Sequence, residues 1–366
     1  MIDRADVLVL THRLSTIRLF GTGSNLTRDS IVVRLEGRDG LVGWGETYLV
    51  PGAVEAARAM AADVTGRQAE DAAADLVERP GLHRWALGAV SMALDDLRAR
   101  RRGVPVSELF GPRVRDRVEA YASSRGYVDG WTAEESWRDE ARVMYEAGFR
   151  AIKLRVGRYP LEEEIGAIER VVAEAPTMTW MADGNGAYSI DESRLLAAAL
   201  ERLGFRWLEE PLPTSDYGAY APLARELSIP LAGGEILESA EAAAAPLTGG
   251  SFDIIQPDVS IAGGIGGALE IARLARSRGV ACIPHACSGA IATAATLQLL
   301  AVLPQGAGTP LWAAPILEYD VGENPIRTDL ADPPIEVRQG CVDIPTGPGL
   351  GIEVDEAVVR SLAVTA

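Results

Sequence analysis

Residues 179–235 read TWMADGNGAYSIDESRLLAAALERLGFRWLEEPLPTSDYGAYAPLARELSIPLAGGE, and the fold turns on how this stretch is parsed. Three short apolar runs, TWMADGN, FRWLEEP and IPLAGGE, each close on an acid. Between them lie DESRLLAAALERLG and YGAYAPLARELS, whose Ala and Leu recur at helical spacing. Asp183, Glu209 and Glu235 follow one another at intervals of 26 residues, the length of one strand and one helix. The same alternation extends outward on both sides. VEAYAS and FRAIKLRVG precede the stretch, and FDIIQPD, VACIPHA and APILEYD follow it, which makes eight strand-like runs. Strands alternating with helices at this period are parallel with right-handed crossovers, and eight such units close into a (β/α)8 barrel. An open doubly wound sheet is the alternative, but no GxGxxG opens a helix after a first strand.

The first 117 residues have a different character. VLVLTHRLS and DSIVVRLEGRDGLVGWGET predict antiparallel strands with RDG as a hairpin turn, and helical patterns follow in VEAARAMAADVTG, EDAAADLVER and HRWALGAVSMALDDLRARRRG. The turn-rich tail CVDIPTGPGLGIEVDEAVVRSL has strand character and is expected to rejoin this region. The expected organisation is an α+β capping domain over 1–117, a barrel over 118–322 and a segment over 323–366 returning to the cap. The net charge of -17 argues against nucleic-acid binding, which needs a basic surface. No apolar run is long enough to span a membrane, and the start MIDRADVLVLTHRLST does not read as a signal peptide. The three cysteines include no close pair, which disfavours a disulfide framework or a zinc site, and the expected compartment is the cytoplasm.

Ends of parallel strands face the loops that build barrel active sites. Read in order they carry Lys153 and Arg155, Asp183, Glu209, Glu235, Asp258, His285 and Glu318. In AIKLRVG the two cations alternate with Ile152, Leu154 and Val156, so they share one face of a strand and need anionic partners if that face is buried. Three carboxylates at one rim cannot all stay ionised in a small dry volume without a positive centre, and Mg2+ suits a few carboxylates plus water and substrate oxygens. Asp258 and His285 end consecutive strands, so an Asp–His pair can form there in which the acid fixes the tautomer and raises the basicity of the imidazole. His12 and His83 lie in the cap and read as structural.

This constellation, with WGE (44–46), IKLR, ADGN, LEEP, GGE, IIQPD, IPHA, ILEYD and PTGPGLGIEV, resembles the enolase superfamily and within it the mandelate racemase subgroup. The pattern of the C-terminal half looks closest to acid-sugar dehydratases and sugar-lactone cycloisomerases of the galactarolactone type. The resemblance implies that Asp183, Glu209 and Glu235 bind Mg2+, that His285 and Asp258 act as acid/base, and that Glu318 is a hydrogen-bonding group near the substrate carboxylate or enolate. It implies substrate contact for Asn185. It also assigns specificity to two cap loops, here 19–28 and 46–52, with Arg28 and Tyr48 as contacts. Association into a homo-oligomer is a property of such proteins for which this sequence carries no decisive signal.

The chemistry implied is removal of the proton next to a carboxylate, which demands stabilisation of a doubly charged enediolate by a divalent ion and nearby cations. Three carboxylates and one Mg2+ leave a charge of about -1, which Lys153 and Arg155 reverse, making room for an anionic substrate. In the racemase the second position of the strand motif is a Lys that serves as base on one substrate face. Here it is Arg155, and a guanidinium is not deprotonated in proteins. Racemisation by two opposed bases is therefore disfavoured. His285 remains as the competent base, with Lys153 a second if its cationic neighbour lowers its pKa. One His suffices for syn dehydration of an acid sugar, the leading expectation, and also for ring opening of a sugar lactone or anhydro acid. A barrel hydrolase or aldose isomerase would recruit several His ligands, and the chain has three His in all. A catalytically silent metal-binding homologue is the non-enzymatic alternative.

Overall fold

The computed structural model describes residues 1–123, 125–304 and 315–364. In chain order the elements are β1 (Ile2–Phe20), β2 (Gly23–Gly37), β3 (Val42–Tyr48), α1 (Ala53–Val64), α2 (Ala69–Glu78), α3 (Arg84–Arg102), β4 (Arg117–Ser123), α4 (Ala133–Glu146), β5 (Ala151–Arg155), α5 (Leu161–Glu174) and β6 (Thr179–Asp183). Then come α6 (Ile190–Arg202), β7 (Leu208–Glu209), α7 (Tyr220–Glu226), β8 (Leu231–Gly233), α8 (Ala240–Gly249), β9 (Ile254–Ile255), α9 (Ile265–Arg276), β10 (Ala281–Cys282) and α10 (Ala290–Val302). The chain closes with β11 (Leu317–Asp320), α11 (Pro325–Thr328), β12 (Ala331–Asp332), β13 (Cys341–Asp343), β14 (Glu353–Val354), α12 (Glu356–Leu362) and β15 (Ala363–Val364). The run APILEYD opens at Ala314, which lies outside the described residues.

β1, β2 and β3 form an antiparallel sheet whose order is β15-β1-β2-β3. Its inner face places Ile31, Val33 and Leu35 against Met60, Leu76, Leu87 and Leu94 of α1, α2 and α3, a core separate from that of the barrel. Gly45 on β3 has no room for a side chain, because a Cβ there would strike the Ala89 carbonyl of α3, so helix and strand meet backbone to backbone. The first two strands run further than their apolar patterns predict. Pairing continues through Arg18↔Asn25 and Leu19↔Ser24 to Phe20↔Gly23, past a register shift after Arg13. The stretch 19–28 is thus the end of a long hairpin turning at Gly21 and Thr22 rather than a free loop; its Gly, Ser, Thr and Asn look turn-like, but cross-strand pairing decides their conformation. Of 46–52, Glu46, Thr47 and Tyr48 belong to β3, and the remainder leads into α1.

Eight parallel strands run in the order β10-β9-β8-β7-β6-β5-β4-β11. In a flat sheet β4 and β7 would lie about 14 Å apart, three strand spacings. Instead the rings of Tyr121 on β4 and Trp207 before β7 meet at 5.4 Å, edge to face, which requires the sheet to curl. Met181, Ala232, Ile254, Ile283 and Ile316 fill the same interior cluster, so the sheet is a (β/α)8 barrel with a packed core. β10 and β11 share no ladder among the described residues, but the Ala286 N–H donates to Glu318 Oε2 across that seam at 3.3 Å. The crossover helices carry their own start signals. Thr132 with Glu135 forms a capping box at α4, and Ser189 with Glu192 forms another at α6.

The chain end divides its pairing. Cys341–Asp343 lies antiparallel against β4, with Val342 opposite Val118, whereas Val364 pairs with Val9 at the edge of the cap sheet. No helix among the described residues is long and apolar enough to cross a membrane.

Candidate functional site

The register of β5, β6 and β7 sets the first row of the site. Arg155 pairs with Asp183, and Asp183 with Glu209, so three charged side chains stand side by side at the strand ends. Lys153, one pleat below, is completely buried and bonds Glu209 Oε1; its Nζ also lies 2.9 Å from Glu318 Oε1 and 3.6 Å from Asp183 Oδ2. Arg155 Nη1 donates to Asp183 Oδ2 and, at 3.0 Å, to Asn185 Oδ1. Burial alone would lower the pKa of both cations, but Glu209 and Glu318 around Lys153, and Asp183 beside Arg155, outweigh it and hold both well above their ordinary values. The expectation that the neighbouring Arg lowers Lys153 is therefore reversed. Carboxylates surround the ammonium more closely than the guanidinium does.

Asp183, Glu209 and Glu235 come from three consecutive strand ends. Glu209 also accepts at Oε2 from Trp207 Nε1 at 3.0 Å and Gln256 Nε2 at 2.8 Å. Its pKa is pushed up to about 7, chiefly by burial and further by the charges of Asp183, Glu318 and Glu235, against the opposing pull of Lys153. Glu235 is the most open of the three and approaches His285 Nε2 at 3.4 Å. Among the described residues no three His, Cys, Asp or Glu side chains are gathered as a finished metal cage, since Lys153 and Arg155 hold two of the carboxylates. The donor chemistry nonetheless fits a hard ion, since all three groups are carboxylates with oxygen donors at adjacent strand ends.

On the far side of the rim His285 Nδ1 lies 2.8 Å from Asp258 Oδ2. Asp258 Oδ1 accepts the Ser260 N–H at 2.7 Å, and Oδ2 also accepts from Tyr48 Oη at 2.7 Å. With Nδ1–H donating to Asp258, Nε2 is left facing the cavity. Burial would depress the His285 pKa, but Glu235, Glu318 and Asp258 together raise it well above its ordinary value. Glu318 moves the opposite way. Burial would raise its pKa, yet Lys153, His285 and Arg155 hold it far below the carboxylate range.

β3 reaches this region twice from one face. Glu46, two residues before Tyr48, accepts the N–H groups of Gly289 at 2.8 Å and Ala292 at 3.0 Å, so a cap residue closes the start of α10, the helix that follows the His285 loop. Gly289 is required there, because a Cβ would collide with the Glu46 carboxylate.

A cavity of about 430 Å³ joins these groups. Arg155, Asn185, Glu235 and His285 line its barrel side, and Arg18 and Arg28 its hairpin side. Tyr48 lines it too, with its hydroxyl turned to Asp258. Arg28 is mostly buried and donates to Asp320 Oδ2 at 2.6 Å. Asn185 has a left-handed backbone (φ 44°), stabilised by its N–H bonding Asp183 Oδ1 at 2.8 Å. Lys153, Asp183, Glu209, Asp258 and Glu318 are all within 1% of complete burial and form the floor beneath. Sequence reasoning did not single out Arg18, Glu46 or Gln256. Gln256 had a signal, standing two before Asp258 in the quoted IIQPD; Arg18 and Glu46 act through partners hundreds of residues away.

Comparison with known proteins gives consistent matches. Residues 9–111 match the mandelate racemase / muconate lactonizing enzyme N-terminal domain family, and residues 136–358 the enolase C-terminal domain-like family. The chain is 34% identical over 363 residues to D-galactarolactone cycloisomerase of Agrobacterium fabrum, covering 95% of this chain and 94% of that protein. It is 30% identical to D-galactonate dehydratase of Verminephrobacter eiseniae, covering 89% of each. A racemase from Streptomyces coelicolor A3(2), solved with bound magnesium, superposes with a TM-score of 0.84 at 27% identity over 100% of both chains.

Proposed function

The chain belongs to the mandelate racemase / muconate lactonizing enzyme family of the enolase superfamily, and from that membership we propose a Mg2+-dependent acid-sugar dehydratase with His285 as its acid/base. Its relatives are lyases and isomerases acting on sugar acids and lactones, and the chain is an enzyme of that kind. The observation that carries the finer reading is an asymmetry in the cavity. One side presents His285 Nε2, and the opposing strand position presents Arg155, a permanent cation bonded to Asp183 and Asn185.

Asp183, Glu209 and Glu235 would hold the Mg2+, which when bound supplies Lewis-acid stabilisation of the negative charge that develops on the substrate carboxylate. Lys153 and Arg155, kept cationic by their carboxylate neighbours, add to that field. His285 acts in its neutral form, which loss of Glu235's charge to the metal would favour; Nε2 takes the α-proton while Asp258 holds Nδ1–H and steadies the imidazolium. The same nitrogen then returns the proton to the β-hydroxyl on the same face. The C–O bond breaks, water leaves, and the enol that remains becomes a 2-keto acid by taking a proton on its β-carbon and giving up the one on its enol oxygen. Asn185 orients the carboxylate end, and Glu318, ionised in the floor beneath, keeps Lys153 in place.

A second reading, ring opening of a sugar lactone from the same first step, draws support from the 34% identity to D-galactarolactone cycloisomerase. Racemisation is disfavoured by Arg155. The test is Mg2+-dependent exchange of the α-proton with solvent deuterium across sugar acids and their lactones, followed by keto-acid assay. Release of water with a 2-keto acid supports dehydration, keto acid from the lactone alone supports ring opening, and no exchange with any compound overturns both in favour of a silent metal binder.

A further inference from the structure

We propose that Glu164 is a positioning residue for the cap: by bonding the barrel loops after β4, β5 and β6, it fixes the seat of the β1–β2 hairpin tip and so the wall that the hairpin gives the cavity. Glu164 stands in the first turn of α5 and is completely buried. Its carboxylate gathers donors from all three loops. Oε1 accepts the Tyr127 hydroxyl and the N–H groups of Arg158 at 3.0 Å and Tyr159 at 3.1 Å. Oε2 accepts the Gly157 N–H at 2.8 Å and the Tyr188 hydroxyl at 2.7 Å. A group that accepts at both oxygens and donates at neither is needed to serve them together. A carboxylate fastening only its own loop would need no more than the amides of 157–159, whereas Tyr127 and Tyr188 come from the loops on either side.

The hairpin tip rests on the residues so held. The Tyr127 N–H donates to the Leu19 carbonyl at 2.9 Å, and Arg158 Nη1 donates to the Phe20 carbonyl at 3.5 Å. Backbone meets backbone beside them: a Cβ on Gly126 would strike the Leu19 carbonyl, and a Cβ on Gly21 would come within 2.6 Å of the Val156 carbonyl oxygen and 3.3 Å of the Ala187 Cβ. Gly126, Val156 and Ala187 are the chain neighbours of Tyr127, Gly157 and Tyr188. Each of these contacts therefore falls on a residue bonded to Glu164 or next to one. Because Leu19 pairs with Ser24 and Arg18 with Asn25, the tip carries with it Arg18, Phe20 and Asn25, which line the cavity together with His285. The reacting groups have other supports. Arg155 is held by its ladder partner Asp183 and by Trp137 Nε1 bonding its carbonyl at 3.2 Å, and Asp258 holds His285. Loosening the seat should therefore cost retention of substrate rather than the chemical step.

The experiment compares two variants with the parent. Glu164→Gln replaces an acceptor oxygen by a donor, and Tyr127→Phe with Tyr188→Phe keeps the 157–159 amides bonded while removing only the hydroxyls of the outer loops. Amide hydrogen exchange, read without substrate, should quicken about tenfold or more at the Tyr127 amide and the hairpin-end amides in both variants, the worth of a bond to a charged group. It should stay unchanged at the Ile283 amide, which bonds the Ile255 carbonyl on the β9 side of the barrel. Where a sugar acid or lactone shows α-proton exchange, its KM should rise about tenfold in both variants with kcat little changed. That kinetic arm rests on the function proposed above, and the amide arm does not. Hairpin amides as protected in the double variant as in the parent overturn the seat and leave Glu164 a fastener of its own loop; so does a loss confined to kcat. Should Glu164→Gln fail to fold, the double variant decides alone. Absence of α-proton exchange with every compound overturns the function, while the amide arm still decides the seat.

Discussion

Tyr48 and His285 share one acceptor: Oδ2 of Asp258 takes the phenol at 2.7 Å and the imidazole Nδ1 at 2.8 Å. The Asp–His pair of the barrel is thus completed by a residue of the capping sheet. A carboxylate that divides its charge between two donors gives less to either, so Tyr48 sets how strongly Asp258 can support positive charge on His285.

Asp258→Asn removes the charge and cannot accept from all three donors now satisfied. Exchange of the α-proton should fall about 10²- to 10⁴-fold, the range for losing a positioned acid/base. Tyr48→Phe leaves the Asp–His bond intact and returns the whole of Oδ2 to His285, so exchange should stay within about tenfold of the parent's, the value of one ordinary hydrogen bond. Exchange rates at saturating substrate compare the two. Equal losses would contradict the ranking.

Arg155→Lys places an ionisable amine opposite His285. If Arg155 occupies the position of a second base, the variant should acquire exchange on the other face and release some epimerised, deuterium-labelled acid, detectable by NMR. No epimer from a folded variant would show that this position does not reach the α-carbon.

Chelation of Mg2+ should abolish exchange, and its return should restore it. Binding to the folded state alone should also raise stability by about 2.7 kcal/mol at one hundred times Kd. Glu235→Gln is the informative variant, because Glu235 pairs with His285 whereas Lys153 and Arg155 bond the other two carboxylates. Loss of both the activity and the thermal shift is expected, and calorimetric titration of the ion measures it.

Glu140 offers a pH test away from the site. Its side chain is buried, with Oε1 accepting the Arg125 N–H at 3.0 Å, and burial pushes its pKa up to about 7. A carboxyl whose folded pKa lies above its unfolded value stabilises most below the unfolded pKa, and that contribution is lost as pH rises through about 7. Glu140→Gln, which mimics the protonated form, should match the parent near pH 5 and exceed it by roughly 1–3 kcal/mol near pH 9. Urea denaturation at both pH values measures the difference, and a gap that shrinks with rising pH would contradict the assignment.

The barrel was legible because two independent patterns coincide in it, the strand–helix period and the acids that close each strand. Lys153 and Arg155 already signalled buried anionic partners, and the structure supplies them in Glu209, Glu318 and Asp183. The hairpin end was not legible, since LFGTGSNLTR has loop composition and becomes a ladder only through pairing with its partner strand. Glu46 stood in the quoted WGE, but its service to α10 spans 243 residues, beyond any local pattern. Tyr48 and Arg28 were placed near the cavity by resemblance. Their partners, Asp258 and Asp320, are properties of the folded chain.

Glu318 closes the barrel seam by accepting the Ala286 N–H while its other oxygen faces Lys153. The ring of strands is therefore fastened, at the joint without a ladder, by a group that also belongs to the charged floor of the cavity. A substitution there is expected to disturb the frame and the charged floor together. An inactive Glu318 variant would speak to catalysis only after its barrel had been shown to remain shut, for instance by hydrogen exchange at the Ala286 amide.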